Sequence, residues 1–154
     1  MLVQLNRNET NRTFAPNSTA VPLPDLNSQR RSPVVAVLGQ RGRVAGLGAH
    51  LPAGWVLRYP GDLEGVRFGE IVLFSGATEA DVLGARALLP RRTRVVALVD
   101  EAAPAELVAA VLTAGADVCV RAGLPAILAS HLVACRRRQL AERWSNLRDT
   151  LPTW

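Results

Sequence analysis

Val34-Val35-Ala36-Val37-Leu38 is an unbroken apolar run that stops at Gly39. A run this short, with no polar face, is what a strand buried on both faces of a parallel sheet requires. Four more segments repeat it downstream. Trp55 to Tyr59 reads as a second strand, Ile71-Val72-Leu73-Phe74 as a third, Arg94 to Val99 as a fourth and Val118-Cys119-Val120 as a fifth. Helical patterns separate them. Val44, Leu47 and Leu51 recur at helical spacing before Pro52-Ala53-Gly54 closes a short first helix. Pro60 to Gly69 is turn-rich, so the second helix is expected to be degraded. Glu79 to Leu89 places Val82, Ala85, Leu88 and Leu89 on one face and is stopped by Pro90. Pro104 to Ala114 ends at Gly115, and Pro125 opens a last helix that continues to about Asp149.

Strand and helix alternate five times, which implies right-handed crossovers and a sheet covered on both faces. The expected fold is therefore α/β and flavodoxin-like, with five parallel strands and an extended C-terminal helix. Residues 1–32, rich in Asn, Thr, Pro, Ser and Arg, show no sustained period and are expected to form a disordered arm. The folded domain is expected over residues 33–138, with residues 139–154 a helical extension and tail.

The chain has 154 residues, enough for one domain, and 49% of them are hydrophobic, enough for a core. All 18 basic residues are arginines, against 13 acidic residues, for a formal charge of +5. The lack of lysine beside abundant Ala, Gly, Leu and Val fits the codon bias of a high-GC bacterium. Arginine in surplus suits phosphate or carboxylate partners, although a basic face also serves solubility alone. Cys119 and Cys135 have neither CxxC spacing nor adjacent histidines, so no metal is expected. His50 and His131 stand without a nucleophile or paired carboxylate at a recognisable spacing. No stretch is apolar enough to span a bilayer and no leader is evident, so a cytoplasmic protein is expected and the sequons at Asn8, Asn11 and Asn17 read as chance.

Ala114-Gly115-Ala116-Asp117 resembles the AGAD turn before the last strand of the receiver domain of bacterial response regulators. Gly46-Leu47-Gly48-Ala49-His50-Leu51 resembles that family's first helix, and Arg136-Arg137-Arg138 the end of its last, so the resemblance covers Ser32 to Arg138. Active receivers bind Mg²⁺ through an acidic pair after the first strand and accept a phosphoryl group on an aspartate after the third. Aligned here, the acidic pair falls on Leu38 and Gly39, and the acceptor on Ser75, or on Phe74 if the register slips by one. The family's Thr or Ser after the fourth strand falls on Asp100, and its lysine on Ala122, or on Arg121 if one residue is deleted. The resemblance thus implies a pseudo-receiver that is not an enzyme and takes no cofactor. Asp100 and Glu101 read as solvated carboxylates ahead of the helix at Pro104.

Two other constellations compete with that reading. Gly39, Gly42 and Gly46 punctuate the loop after the first strand, a setting in which backbone approaches phosphate, although the spacing is not GxGxxG. With Arg41 and Arg43 in that loop and Arg58 ending the second strand, a phosphorylated nucleotide such as NADP is one candidate ligand. In the last helix, Leu140, Trp144, Leu147 and Leu151 extend an apolar stripe beyond the part that Ile127, Leu128, Leu132 and Cys135 would dock on the sheet. Receivers often pair through this helix, so a homodimer in regulation by protein association is the expected role. Arg136, Arg137, Arg138 and Arg143 supply the alternative, a DNA-associated transcriptional regulator, though without a recognisable reading motif. A nucleotide sensor is the remaining alternative, and no membrane partner is expected.

Overall fold

The computed structural model describes residues 31–152. The expected disordered arm therefore lies, except for its last two residues, outside the described residues. Five strands, β1 (Val34–Gly39), β2 (Val56–Arg58), β3 (Ile71–Ser75), β4 (Val95–Val99) and β5 (Val118–Arg121), form one parallel sheet in the order 2-1-3-4-5. Among the described residues four α-helices accompany it: α1 (Leu47–His50), α2 (Glu79–Leu88), α3 (Ala105–Thr113) and α4 (Pro125–Thr150). The arrangement is flavodoxin-like, as expected.

Strand alternation divides the core into two layers. Val35, Val37, Ile71, Leu73, Val96 and Leu98 face α1 and α4, where Leu47, Leu128, Leu132 and Cys135 meet them. On the other face Val72, Phe74, Val95, Ala97 and Val99 pack against Val82 and Ala85 of α2 and Val111 of α3. Every residue of β3 and β4 is buried, which is why those segments read as continuous apolar runs.

One helix differs from its sequence pattern, and another is degraded as its turn residues led one to expect. The first is split into a 3-10 turn over Arg41–Val44 and the four-residue α1, because Gly46 between them takes a left-handed conformation with φ +80. Val44 and Leu47 remain buried, so the apolar spacing survives the break. The second helix is reduced to one 3-10 turn, Leu63–Gly65. Asp62 stabilises that turn, its Oδ1 accepting from the Gly65 amide at 3.0 Å.

In place of the missing helix the chain uses an ion pair. Arg58 Nε donates to Glu70 Oε1 at 2.7 Å and Nη2 to Oε2 at 2.6 Å, while the Arg67 amide donates to Oε2 at 2.9 Å. The same Nη2 also donates to the Gly65 carbonyl, tying the 3-10 turn to the strand. At the same end of the sheet Asp117, the last residue of the AGAD segment, accepts from Arg86 and Arg94, each at 2.9 Å, and from the Val95 amide at 2.8 Å. Its own amide donates to the Val95 carbonyl, so one side chain sets the start of β4 against β5.

The last helix runs without a break from Pro125 through Arg138 to Thr150. Its 26 residues span about 39 Å, whereas strands of five or six residues span about 17–20 Å. The distal half therefore extends past the sheet. No helix among the described residues is long and apolar enough to cross a membrane.

Candidate functional site

In a sheet of order 2-1-3-4-5 the strand order reverses between β1 and β3, and ligands of such folds gather at the carboxyl edge there. Leu38 pairs with Phe74 across this point and Gly39 with Ser75. Neither Leu38 nor Phe74 presents a polar atom, and both side chains lie in the layer under α2. Ser75 is only 2% exposed, and its Oγ donates to the Gln40 carbonyl at 2.7 Å. The Gln40 amide donates back to the Ser75 carbonyl at 3.1 Å. Gly39 has φ +94, and a Cβ there would fall inside the van der Waals envelope of the Ser75 carbonyl oxygen. The Ser75 hydroxyl is thus tied to backbone, while Gly39 and Ser75 themselves border an open cleft.

The remaining receiver-aligned residues do not converge on Ser75. Asp100 pairs with Arg43 from the loop after β1. Arg121 donates to the Ala103 carbonyl at 3.2 Å, and the Ala122 amide donates to the Val99 carbonyl at 2.7 Å, which fixes the turn after β5. No three His, Cys, Asp or Glu side chains among the described residues gather as a metal site. We expect beryllofluoride with Mg²⁺ to leave the melting temperature unchanged, although a ligand at 100 times its Kd would add about 2.7 kcal/mol. A Mg²⁺-dependent rise in Tm would refute the reading that Leu38, Gly39 and Ser75 form no acyl-phosphate site.

The three arginines of the set expected from Gly39, Arg41, Gly42, Arg43 and Arg58 each have a separate partner within the chain. Arg58 is committed to Glu70 and Gly65, and Arg43 to Asp100. Arg41 lies over the Tyr59 ring, 4.8 Å from its centroid. Carboxylates and an aromatic face inside the domain thus engage the three guanidinium groups separately. Burial alone would raise the Glu70 carboxyl, but the Arg58 guanidinium and the Arg67 amide outweigh it and hold the group below the usual range.

What lies open at this edge is a cleft of about 550 Å³ on the α2 side. Leu38 and Phe74 lie beneath it, and the 3-10 turn and the first turns of α2 flank it. Asp62, Glu64 and Asp81 line it, and no arginine does. The sequence signal for this cleft is the turn-rich Pro60–Gly69 stretch, which marks a lost helix but not its consequence, the vacated space.

On α4, Leu128, Leu132, Cys135 and Gln139 are buried along the face against the sheet, while Ile127, expected to dock with them, is half exposed. Leu140 is half-buried, and Trp144, Leu147 and Leu151 are 55%, 53% and 68% exposed. Leu140, Trp144 and Leu147 lie roughly 120° around the helix from the sheet-facing line, and Leu151 caps its C-terminal end with extended backbone. Arg136, Arg137 and Arg138 point in three directions because consecutive helical residues are about 100° apart. Arg136 is half-buried and donates to Gln139 at 3.3 Å, with burial and the charge of Arg143 pushing its pKa down. Only Arg137, Arg138 and Arg143 are exposed, so the expected basic patch does not form a single face. Burial raises the pKa of the Cys119 and Cys135 thiols.

Comparison of the sequence with protein-family models and with curated proteins gives no match.

Proposed function

We propose that this chain is a phosphorylation-independent, receiver-like module that acts in regulation by associating with a second copy of itself along the distal half of α4. The observation that carries this reading is the row of Leu140, Trp144, Leu147 and Leu151, which projects past the sheet with three of its four side chains more than half exposed. Spacings of four, three and four residues form the seam of a two-helix contact. Trp144 is its natural anchor, since a large aromatic at the centre of such a contact supplies most of the binding energy. The lack of a carboxylate at Leu38, Gly39 and Ser75 supports the same reading, because it favours association over phosphoryl transfer as the output.

Sedimentation equilibrium on the full chain tests this. Wild type is expected to dimerise, and Trp144→Ala to weaken the dimer by about 2 kcal/mol, or roughly 30-fold in Kd. Ile127→Ala, half exposed at the opposite end of the helix, is expected to leave the dimer intact. A wild-type chain that stays monomeric, or a Trp144→Ala chain that pairs normally, would end this proposal.

A further inference from the structure

The cleft left by the missing second helix plays no part in pairing through α4. Its apolar floor is the cross-strand pair Leu38 and Phe74, joined by Leu63 from the turn and Leu88 from α2. Its volume of about 550 Å³ falls within the range of small-molecule sites.

Charge decides the chemistry of the occupant. Asp62, Glu64 and Asp81 border the cleft, and the ion pairs among the described residues, Arg43 with Asp100, Arg58 with Glu70, Arg86 with Asp117 and Arg94 with Asp117 and Glu142, leave all three without a cation. Asp62 Oδ1 accepts from Gly65, and Asp81 Oδ2 accepts from Thr78. The second oxygen of each and both oxygens of Glu64 have no hydrogen-bond donor among the described residues. A chain of formal charge +5 thus carries an apolar cleft whose charged rim is wholly negative. Anionic ligands, nucleotides among them, are repelled there, and a neutral apolar ligand gains nothing from the carboxylates.

We propose that this cleft binds a small organic cation, an amine or guanidine on an apolar body. The body packs along the apolar lining of Leu38, Leu63, Phe74 and Leu88, and the charged head faces the acidic rim that Asp62, Glu64 and Asp81 supply.

The test is an amide-shift titration of the full chain with 2-phenylethylamine, with 2-phenylethanol as its uncharged counterpart. The amine is expected to shift the amides of Leu38, Phe74, Ala80 and Gly84 and the alcohol to bind far more weakly. Asp62→Asn with Glu64→Gln is expected to weaken the amine about fivefold, as loss of two exposed charges implies. Asparagine keeps the side-chain oxygen that accepts from Gly65, so this variant should melt as wild type does. Equal binding of amine and alcohol, unchanged binding by the double variant, or no shift up to about 10 mM amine would overturn the proposal. A response to an arginine-rich peptide but none to the amine would assign the cleft to a protein partner and likewise overturn it.

Discussion

Replacing Glu70 with alanine is expected to destabilise the domain by about 3 kcal/mol, a large share of the 5–15 kcal/mol typical of a domain this size. The carboxylate is buried, receives two hydrogen bonds from Arg58 and one from the Arg67 amide, and has no substitute nearby. Its removal strands a guanidinium that keeps only the Gly65 carbonyl. The figure sits at the low end for a broken buried pair because the Arg58 side chain is 27% exposed. Urea unfolding of the variant measures it. Replacing both partners together, as Arg58→Met with Glu70→Leu, is expected to recover most of the loss, since an apolar pair of similar volume leaves no charge unpaired.

The same pair gives a pH dependence of known sign. Glu70 has its folded pKa below the unfolded value of about 4.3, so its contribution is complete above that value and is lost as pH falls through the folded pKa. The stability gap between wild type and Glu70→Gln should therefore hold steady from pH 7 to about pH 5 and narrow at lower pH. A gap that widened on acidification would contradict the ion pair. The device also explains how the chain does without a second helix. A turn fixed by Arg58 and Asp62 holds the β2 to β3 connection but covers less of the sheet than a helix would, and the cleft is the uncovered remainder.

The fold was legible because its signals are local and repeated. Val34–Leu38, Ile71–Phe74 and Val95–Val99 are apolar without interruption, and prolines and glycines mark the helix ends between them. Alternation implied parallel strands joined by right-handed crossovers, but it does not by itself fix the order 2-1-3-4-5. The degraded second helix was legible from its turn residues. The split of the first helix was not, because Val44, Leu47 and Leu51 keep helical spacing across a glycine whose left-handed conformation leaves no mark in that pattern. The partners of the three loop and strand arginines were not legible for a related reason. A sequence shows where arginines stand but not that Glu70, Asp100 and Tyr59, 12, 57 and 18 residues away from Arg58, Arg43 and Arg41, engage them first. The stripe of Leu140, Trp144, Leu147 and Leu151 was readable because helical spacing alone defines it.

Gly39→Ala is expected to cost about 3–5 kcal/mol, while Gly42→Ala three residues on is expected to be neutral or to stabilise by up to about 1 kcal/mol. At Gly39 a left-handed φ of +94 adds its own penalty, and the new methyl would collide with the Ser75 carbonyl. That oxygen cannot retreat, because it accepts the Gln40 amide. At Gly42 nothing lies within 4 Å of the place a methyl group would take, so the substitution only reduces the freedom of the unfolded chain. The contrast separates a specific close approach of β1 to β3 from a general need for glycine in the loop. It also bears on function, since a carboxylate at position 39 meets the same collision at its Cβ. Gly39→Asp should therefore unfold the edge rather than recreate a Mg²⁺ ligand, and a Gly39→Asp chain that stays as stable as wild type and binds Mg²⁺ would show that position 39 accommodates a side chain after all.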